Sequence, residues 1–294
     1  MNRALNSGLI MALCASMLFS LKPILIKQAY LWGANSESLM LLRMLYAAPF
    51  YLLMLWFYRA GLRGKQGATP MLIAAGFLGY FLASYLDLLA LEQVSAQAER
   101  IILYAYPSIV VLIRSLITRS LPGKHILLAL LCAYAGILVL IPGELNLQGT
   151  GMGLLLVFAS ALSFAAYVVM SGDLIKRFGS VLFTSLSMLI ATLFTQIHWF
   201  NAPLQVLQNL PLQVHGFALG IAFFCTVLPS FAMARAINLL GAEKTAISGA
   251  SGPVFTTLLA IALLNEPVTF FHLMGMLLVV AGVFIMQRQG KKAA

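Results

Sequence analysis

Charged residues are scarce in this chain: of its 294 residues, only 9% are Asp, Glu, Lys or Arg. Soluble domains carry about 25% charged residues, so there is too little polar surface here to cover a water-soluble globule. Hydrophobic residues make up 62% of the sequence. The composition therefore excludes a soluble domain and places the chain in a lipid bilayer.

Cysteine and histidine are also few. The three cysteines, Cys14, Cys132 and Cys225, lie singly inside apolar segments, which disfavours a disulfide framework or a zinc site. The four histidines are scattered, which disfavours a membrane enzyme that would need clustered His and carboxylates. A GxxxxGK[ST] phosphate-binding loop is missing too, which disfavours a process driven by ATP hydrolysis and leaves a gradient or exchange to drive one. We predict a protein that is not an enzyme and has no cofactor or metal.

Long apolar runs fill most of the chain. A helix needs about 20 apolar residues to cross the hydrocarbon core, and the sequence predicts ten such helices with short connections. Residues 142–148 separate two groups of five helices, so we divide the chain into repeats 1–144 and 145–294. The predicted helices span residues 7–28, 37–58, 69–91, 95–117, 122–141, 149–171, 180–200, 214–236, 243–264 and 267–287.

The basic residues recur at the ends of apolar segments, although the net charge is +10. This distribution is typical of membrane topology signals and not of a nucleic-acid-binding patch. With the N-terminus in the cytoplasm, most Lys and Arg residues lie at or near the cytoplasmic side. The sequence therefore predicts that both termini are cytoplasmic.

Two segments of the chain, residues 91–141 and 237–286, read as versions of one another at a spacing of about 146 residues. In this register Pro107 corresponds to Pro253, and Ala135-Gly136 to Ala281-Gly282. Five helices per repeat is an odd number, so the two halves would enter the membrane from opposite sides. An inverted repeat in an apolar chain is typical of transporters, whose binding site lies between the repeats.

The second repeat ends in GPVFTTLLAIALLNEPVTFFHLMGMLLVVAGVFIM, residues 252–286. This helix–turn–helix pattern, with an acidic-Pro turn and an AGV-like tail, resembles the EamA family of the drug/metabolite transporter superfamily. The first repeat has the same pattern without the acidic turn residue, and the resemblance covers essentially the whole chain. It implies a multi-pass protein of the bacterial inner membrane that moves amino acids, their derivatives or other small metabolites, often outward.

Charges inside the predicted helices are the strongest functional signal, because each is costly in hydrocarbon. Lys22 precedes Pro23, which removes a backbone donor, and lies about 22 Å from the cytoplasmic helix end at 1.5 Å per residue. Arg43 and Asp87 are predicted in the same outer half of the membrane. Glu99 and Arg100 follow there on the fourth helix. We expect these groups to share one polar region.

These five charges sum to about one positive charge, which suits a carboxylate or another anionic group. The corresponding second-repeat positions are neutral, with Ala166 opposite Lys22 and Met233 opposite Asp87. The alternative is that Arg43 with Asp87, and Glu99 with Arg100, form fixed ion pairs that brace helices, and both interpretations stay open.

Helical spacing aligns further candidates on faces of the third and fourth helices, with additional residues on the sixth and ninth. The predicted substrate-binding residues are Lys22, Tyr80, Ser84, Asp87, Arg100, Tyr104, Tyr167 and Ser248. The predicted structural or coupling residues are Arg43, Glu99, Pro23, Pro107 and Pro253.

The sequence thus favours a transporter that exports a small carboxylate-bearing metabolite by alternating access. The alternative is uptake or exchange of a larger anion-bearing metabolite, such as a nucleoside derivative, because the aromatic residues of the helices would allow ring stacking. The expected partners are a small-molecule substrate and the lipid bilayer. Proton coupling, facilitated exchange and a homodimer stay open.

Overall fold

The fold is described from a computed structural model of the chain. The described residues are 2–62, 69–94, 99, 102–140, 151–199, 210–249, 251–252, 254–255, 258–259, 270, 274–275, 277–278, 280–282 and 285. Within them the secondary structure is helical and contains no β-strand. The prediction of an all-α protein is confirmed for this part of the chain.

The first repeat contributes six α-helices and a π-helical segment, π1, that joins α3 to α4. A short 3₁₀ turn, Arg59–Leu62, extends α2. The elements are α1 (Asn2–Leu31), α2 (Ser36–Tyr58), α3 (Thr69–Gly76), π1 (Phe77–Leu82), α4 (Ala83–Gln93), α5 (Tyr106–Thr118) and α6 (Lys124–Leu140).

In the second repeat, the described elements α7 to α10 follow the order of α1 to α4, and a second π-helical segment, π2, joins α9 to α10. The elements are α7 (Gly151–Phe178), α8 (Ser180–His198), α9 (Leu212–Ala222), π2 (Phe223–Val227), α10 (Leu228–Leu240) and α11 (Ala242–Gly249).

Within the described residues, six helical stretches are long and apolar enough to cross a membrane. They match the first, second, third, sixth, seventh and eighth predicted helices, whereas the fourth and fifth are matched by the shorter α5 and α6. Most of the predicted ninth and tenth helices lies outside the described residues, so the number of ten stays a prediction. The six stretches are Leu5–Leu31, Ser36–Gly61, Pro70–Gln93, Gly151–Phe178, Ser180–His198 and Leu212–Leu240.

Large apolar side chains point away from the helix contacts. On α2, Leu52, Trp56 and Phe57 are all more than half exposed. Exposed apolar surface on this scale marks a membrane or protein contact, and a chain of this composition places it against lipid. The helices satisfy their own backbone hydrogen bonds, as hydrocarbon requires.

The contacts between helices reflect the internal repeat of the chain. α1 packs against α10, and α7 packs in the same way against α4, while α2 packs against α8. Because α1 corresponds to α7, α4 to α10 and α2 to α8, the first two contacts are repeat-related and the third joins corresponding helices. Small residues allow the close approach: a Cβ added at Gly8 would lie 2.7 Å from Leu240 Cγ.

Pro23 does not interrupt α1, which is helical from Asn2 to Leu31. The sequence had led us to expect a disturbed turn at this proline. Transmembrane helices tolerate proline because neighbouring groups satisfy the backbone atoms that it releases. Lys22 is therefore held on a continuous helix.

Candidate functional site

A central cavity lies where helices of both repeats meet. It offers about 90 Å³ to the centres of water-sized molecules, enough for several waters. Along α1 it is lined by Ala12, Ser16, Phe19 and Lys22, residues three or four apart that share one helix face. At 1.5 Å per residue the cavity follows α1 for about 15 Å, through the middle of the span Leu5–Leu31.

Corresponding residues of the two repeats line the cavity together. This pairing indicates that the cavity lies on the approximate symmetry axis, where transporters built from repeats bind their substrates. At the spacing of 146 residues, the pairs that both line it are Gly79 with Cys225, Tyr80 with Thr226, Asp87 with Met233, and Leu103 with Gly249.

The two π-helical segments also correspond, since Phe77 and Phe223 begin them 146 residues apart. In π1, the N–H of Ala83 donates to the carbonyl of Leu78, five residues back. A second donor reaches that carbonyl from α7, because Ser163 Oγ donates to it at 2.8 Å. In π2, Thr226 Oγ1 donates to the carbonyl of Ile221 at 2.9 Å. Single-turn π-bulges occur frequently at functional sites.

The charged side chains of the cavity come from three helices. Lys22 on α1 forms an ion pair with Asp87 on α4, with Nζ 2.5 Å from Oδ2. The side chains of Lys22 and Asp87 are 13% and 4% exposed, so the pair is largely removed from water. The sequence left a pair between Arg43 and Asp87 open, but the carboxylate's ion pair here is with Lys22.

Arg43 lies on α2 beside this pair and is 2% exposed. Its Nη2 donates to Met40 Sδ at 2.9 Å, and its Nε has no hydrogen-bond partner within the described structure. Asp87 and Tyr80 act on the guanidinium electrostatically. Arg43, which the sequence indicated only as a structural or coupling residue, therefore lines the cavity with an unsatisfied donor.

Two tyrosines of the site, Tyr80 and Tyr167, pack one behind the other. Tyr80 lines the cavity, and Tyr167 lies behind it, with ring centroids 5.0 Å apart at 70° and hydroxyl oxygens 3.5 Å apart. Gly79 makes room for this arrangement, because a Cβ there would overlap the ring of Tyr167. Tyr167 therefore supports the cavity wall and does not line it.

Tyr104 and Tyr106 face the small residues of the ninth predicted helix. Tyr106 donates from its hydroxyl to the carbonyl of Ala246 at 3.1 Å, and a Cβ on Gly252 would overlap the hydroxyl of Tyr104. Ser248 is buried but not in the lining, since its Oγ donates to the carbonyl of Lys244 at 2.8 Å.

The remaining predicted site residues differ in whether they line the cavity. Ser84 and Tyr104 line the cavity, whereas Glu99 is fully buried outside the lining. Pro107 occupies the first turn of α5, where a proline removes no helical hydrogen bond. The remaining two, Arg100 and Pro253, lie outside the described residues.

The sequence profile of the EamA-like transporter family matches residues 6–141 and 151–288. The chain belongs to this family. Among its EamA-family relatives is the uncharacterized transporter YcbK of Bacillus subtilis, 30% identical over 93% of this chain and 90% of the relative. The uncharacterized inner membrane transporter YicL of Salmonella typhimurium is 24% identical over 90% of this chain and 94% of the relative.

A solved crystal structure with 14% sequence identity superposes on the chain with a TM-score of 0.75. The match covers 98% of this chain and 99% of the other, which shows a shared fold. The helical architecture, the membrane-spanning lengths and the family together make this EamA-family member a multi-pass integral membrane transporter.

Sequence reasoning missed several lining residues. Cys225 and Thr226 could have been found from the repeat register, because they correspond to Gly79 and Tyr80. Phe19 and Phe164 carry no such signal, since apolar residues of a membrane helix face lipid and cavity alike.

Proposed function

We propose that this chain is a secondary transporter of the bacterial inner membrane that exports a small carboxylate-bearing metabolite, such as an amino acid or a derivative. One observation carries the proposal: Lys22, Arg43 and Asp87 line a single buried cavity. Their formal charges leave one positive charge on side chains that are at most 13% exposed. An anionic ligand would compensate it, because buried charges are stabilised by pairing.

The size of the cavity supports a small substrate. Pockets for drug-sized ligands span about 300–1,000 Å³, whereas this cavity has about 90 Å³. Ser84, Tyr80 and Tyr104 add hydroxyl groups to the charged end. We propose that these side chains, with Lys22 and Asp87, form the binding site.

Alternating access is supported by the symmetry of the fold. Repeat-related helices form repeat-related contacts around the cavity, and a π-helical segment interrupts the α-helix at corresponding places in each repeat. We propose that repeats 1–144 and 145–294 rock against each other around the site. We propose that the two π-helical segments change conformation during this motion.

The distribution of Lys and Arg supports cytoplasmic placement of both termini. A C-terminal green fluorescent protein fusion should be fluorescent in bacterial cells, and the matching alkaline phosphatase fusion should be inactive. An active phosphatase fusion would overturn the orientation.

Flux measurements in liposomes test the transport activity. The purified protein should move a labelled amino acid or another small monocarboxylate, and a proton gradient of either sign should change the rate only if transport is proton-coupled. Lys22→Ala should reduce flux, whereas Arg59→Gln should not, because Arg59 lies over the Trp56 ring at 3.9 Å outside the cavity. Failure of every carboxylate to move, with and without a pH gradient, would refute the proposal.

A second candidate is transport of a larger anion-bearing metabolite, such as a nucleoside derivative. The observation in its favour is the aromatic wall that Phe19, Tyr80, Tyr104, Tyr106 and Phe164 contribute to the cavity, on which a base could stack. Nucleoside monophosphates in the same liposome panel test it. Flux of these compounds without flux of small carboxylates would replace the first proposal with the second.

A further inference from the structure

Arg43 differs from the other cation of the cavity in its partners. Lys22 is paired with Asp87 at 2.5 Å. Among the described residues, Arg43 forms no ion pair, and its hydrogen bond goes to the thioether of Met40 at 2.9 Å. A thioether is a weak acceptor, so it compensates little of a positive charge that is 2% exposed.

The unsatisfied donor of the Arg43 guanidinium suits a carboxylate ligand. Nε lacks a partner within the described structure although it is buried, and Arg43 lines the cavity. Arginine binds a carboxylate with two parallel N–H donors, whereas the lysine ammonium is a point charge. A ligand carboxylate in the cavity would thus satisfy both the buried donor and the buried charge.

We propose that Arg43 is the residue that binds the substrate carboxylate, while the Lys22–Asp87 ion pair stays intact beside it. This inference rests on the proposed transport function and names the group that sets its specificity. It reverses the expectation from sequence, in which Lys22 was the anchor. Because Asp87 pairs with Lys22, the spare charge among the described cavity residues belongs to Arg43.

The remainder of the lining defines the rest of the substrate. Away from the charges, the cavity wall is apolar and aromatic and includes Phe19, Leu103, Phe164 and Met233. One spare positive charge accommodates one anionic group, and a second would be buried without a partner. The preferred substrates are therefore monocarboxylates with one apolar or aromatic tail, and dicarboxylates are disfavoured.

Calorimetric binding to the detergent-purified protein tests this assignment with phenylacetate, its neutral amide phenylacetamide, and succinate. Wild type should bind phenylacetate more tightly than the other two. Arg43→Gln should weaken phenylacetate binding at least about 30-fold, since loss of a buried charge partner costs this much or more. Phenylacetamide binding should change little, although a merely structural role of Arg43 would weaken both ligands equally.

Two further variants keep the test decisive. Arg43→Lys retains the charge but not the two parallel N–H donors, so its loss of phenylacetate affinity should be intermediate. This variant replaces Arg43→Gln in the test if Arg43→Gln does not fold. The double variant Lys22→Gln/Asp87→Asn removes the ion pair and retains the spare charge. It should weaken phenylacetate binding less than Arg43→Gln, and Arg59→Gln should not weaken it.

The outcomes separate the two proposals. If wild type transports carboxylates but Arg43→Gln binds phenylacetate like wild type, the Arg43 assignment is overturned and the transport function stands. Equal binding of succinate and phenylacetate would overturn the monocarboxylate preference. If wild type neither binds nor moves any carboxylate, both proposals fall.

Discussion

Removing the carboxylate of Asp87 should destabilise the protein more than removing the ammonium of Lys22. The two groups lie 2.5 Å apart, and at an effective dielectric constant of about 20 their attraction is about 7 kcal/mol before desolvation is subtracted. Breaking a buried pair by removing one partner typically costs about 3–5 kcal/mol. The cost depends on the charge that is left behind.

The neighbouring Arg43 makes the two losses unequal. Asp87→Asn leaves the Lys22 and Arg43 cations together without a counter-ion from this pair, so it should cost about 3–5 kcal/mol. Lys22→Met leaves Asp87 facing Arg43, which already acts on it electrostatically, so the loss should be smaller. The double variant Lys22→Met/Asp87→Asn should recover much of the stability that Asp87→Asn loses.

Thermal unfolding of the detergent-purified variants measures this order. Asp173→Asn is the matched control, because it removes a carboxylate from an exposed pair with Lys176 at 3.4 Å and should cause no measurable shift. An unfolding temperature of Lys22→Met at or below that of Asp87→Asn would refute the reasoning. So would a double variant that is no more stable than Asp87→Asn.

Two predictions concern packing around the cavity. Gly252→Ala should destabilise the protein by about 1–3 kcal/mol and so lower its unfolding temperature, because the added Cβ overlaps the hydroxyl of Tyr104. Tyr104→Phe should partly restore the unfolding temperature. Gly216→Ala, whose added Cβ meets open space, is the control. Ser163→Ala should cost about 0.5–1.5 kcal/mol, because it removes the donor at 2.8 Å to the Leu78 carbonyl of π1, which still accepts from the Ala83 N–H. An unchanged unfolding temperature would refute the respective contact.

The sequence predicted the features that depend on composition along the chain. Apolar length sets which segments can cross a membrane, so helices such as α2 and α8 match the expected ranges closely. The high cost of charge in hydrocarbon likewise predicted that Lys22, Arg43 and Asp87 would share one region. These inferences need no knowledge of how neighbouring helices are rotated.

Features that depend on helix rotation could not be predicted. Which cation pairs with Asp87 depends on how α1, α2 and α4 face one another. The π-helical segments have no compositional signal, since Phe77–Leu82 reads like any apolar helix turn. Tyr167 is on the predicted helix, but it packs behind Tyr80 and does not line the cavity.

Among the described cavity residues, the charged side chains all lie in the first repeat. Cavity residues come in corresponding pairs from both repeats, yet Lys22, Arg43 and Asp87 correspond to Ala166, Leu189 and Met233. In the proposed transport cycle the repeats exchange their conformations, but these charges remain on the first repeat. A bound anion would therefore keep its contacts with α1, α2 and α4 while its contacts with the second repeat are exchanged. In the proposed cycle the scaffold would thus provide two equivalent conformations, and the charges would hold the ligand in one orientation through both.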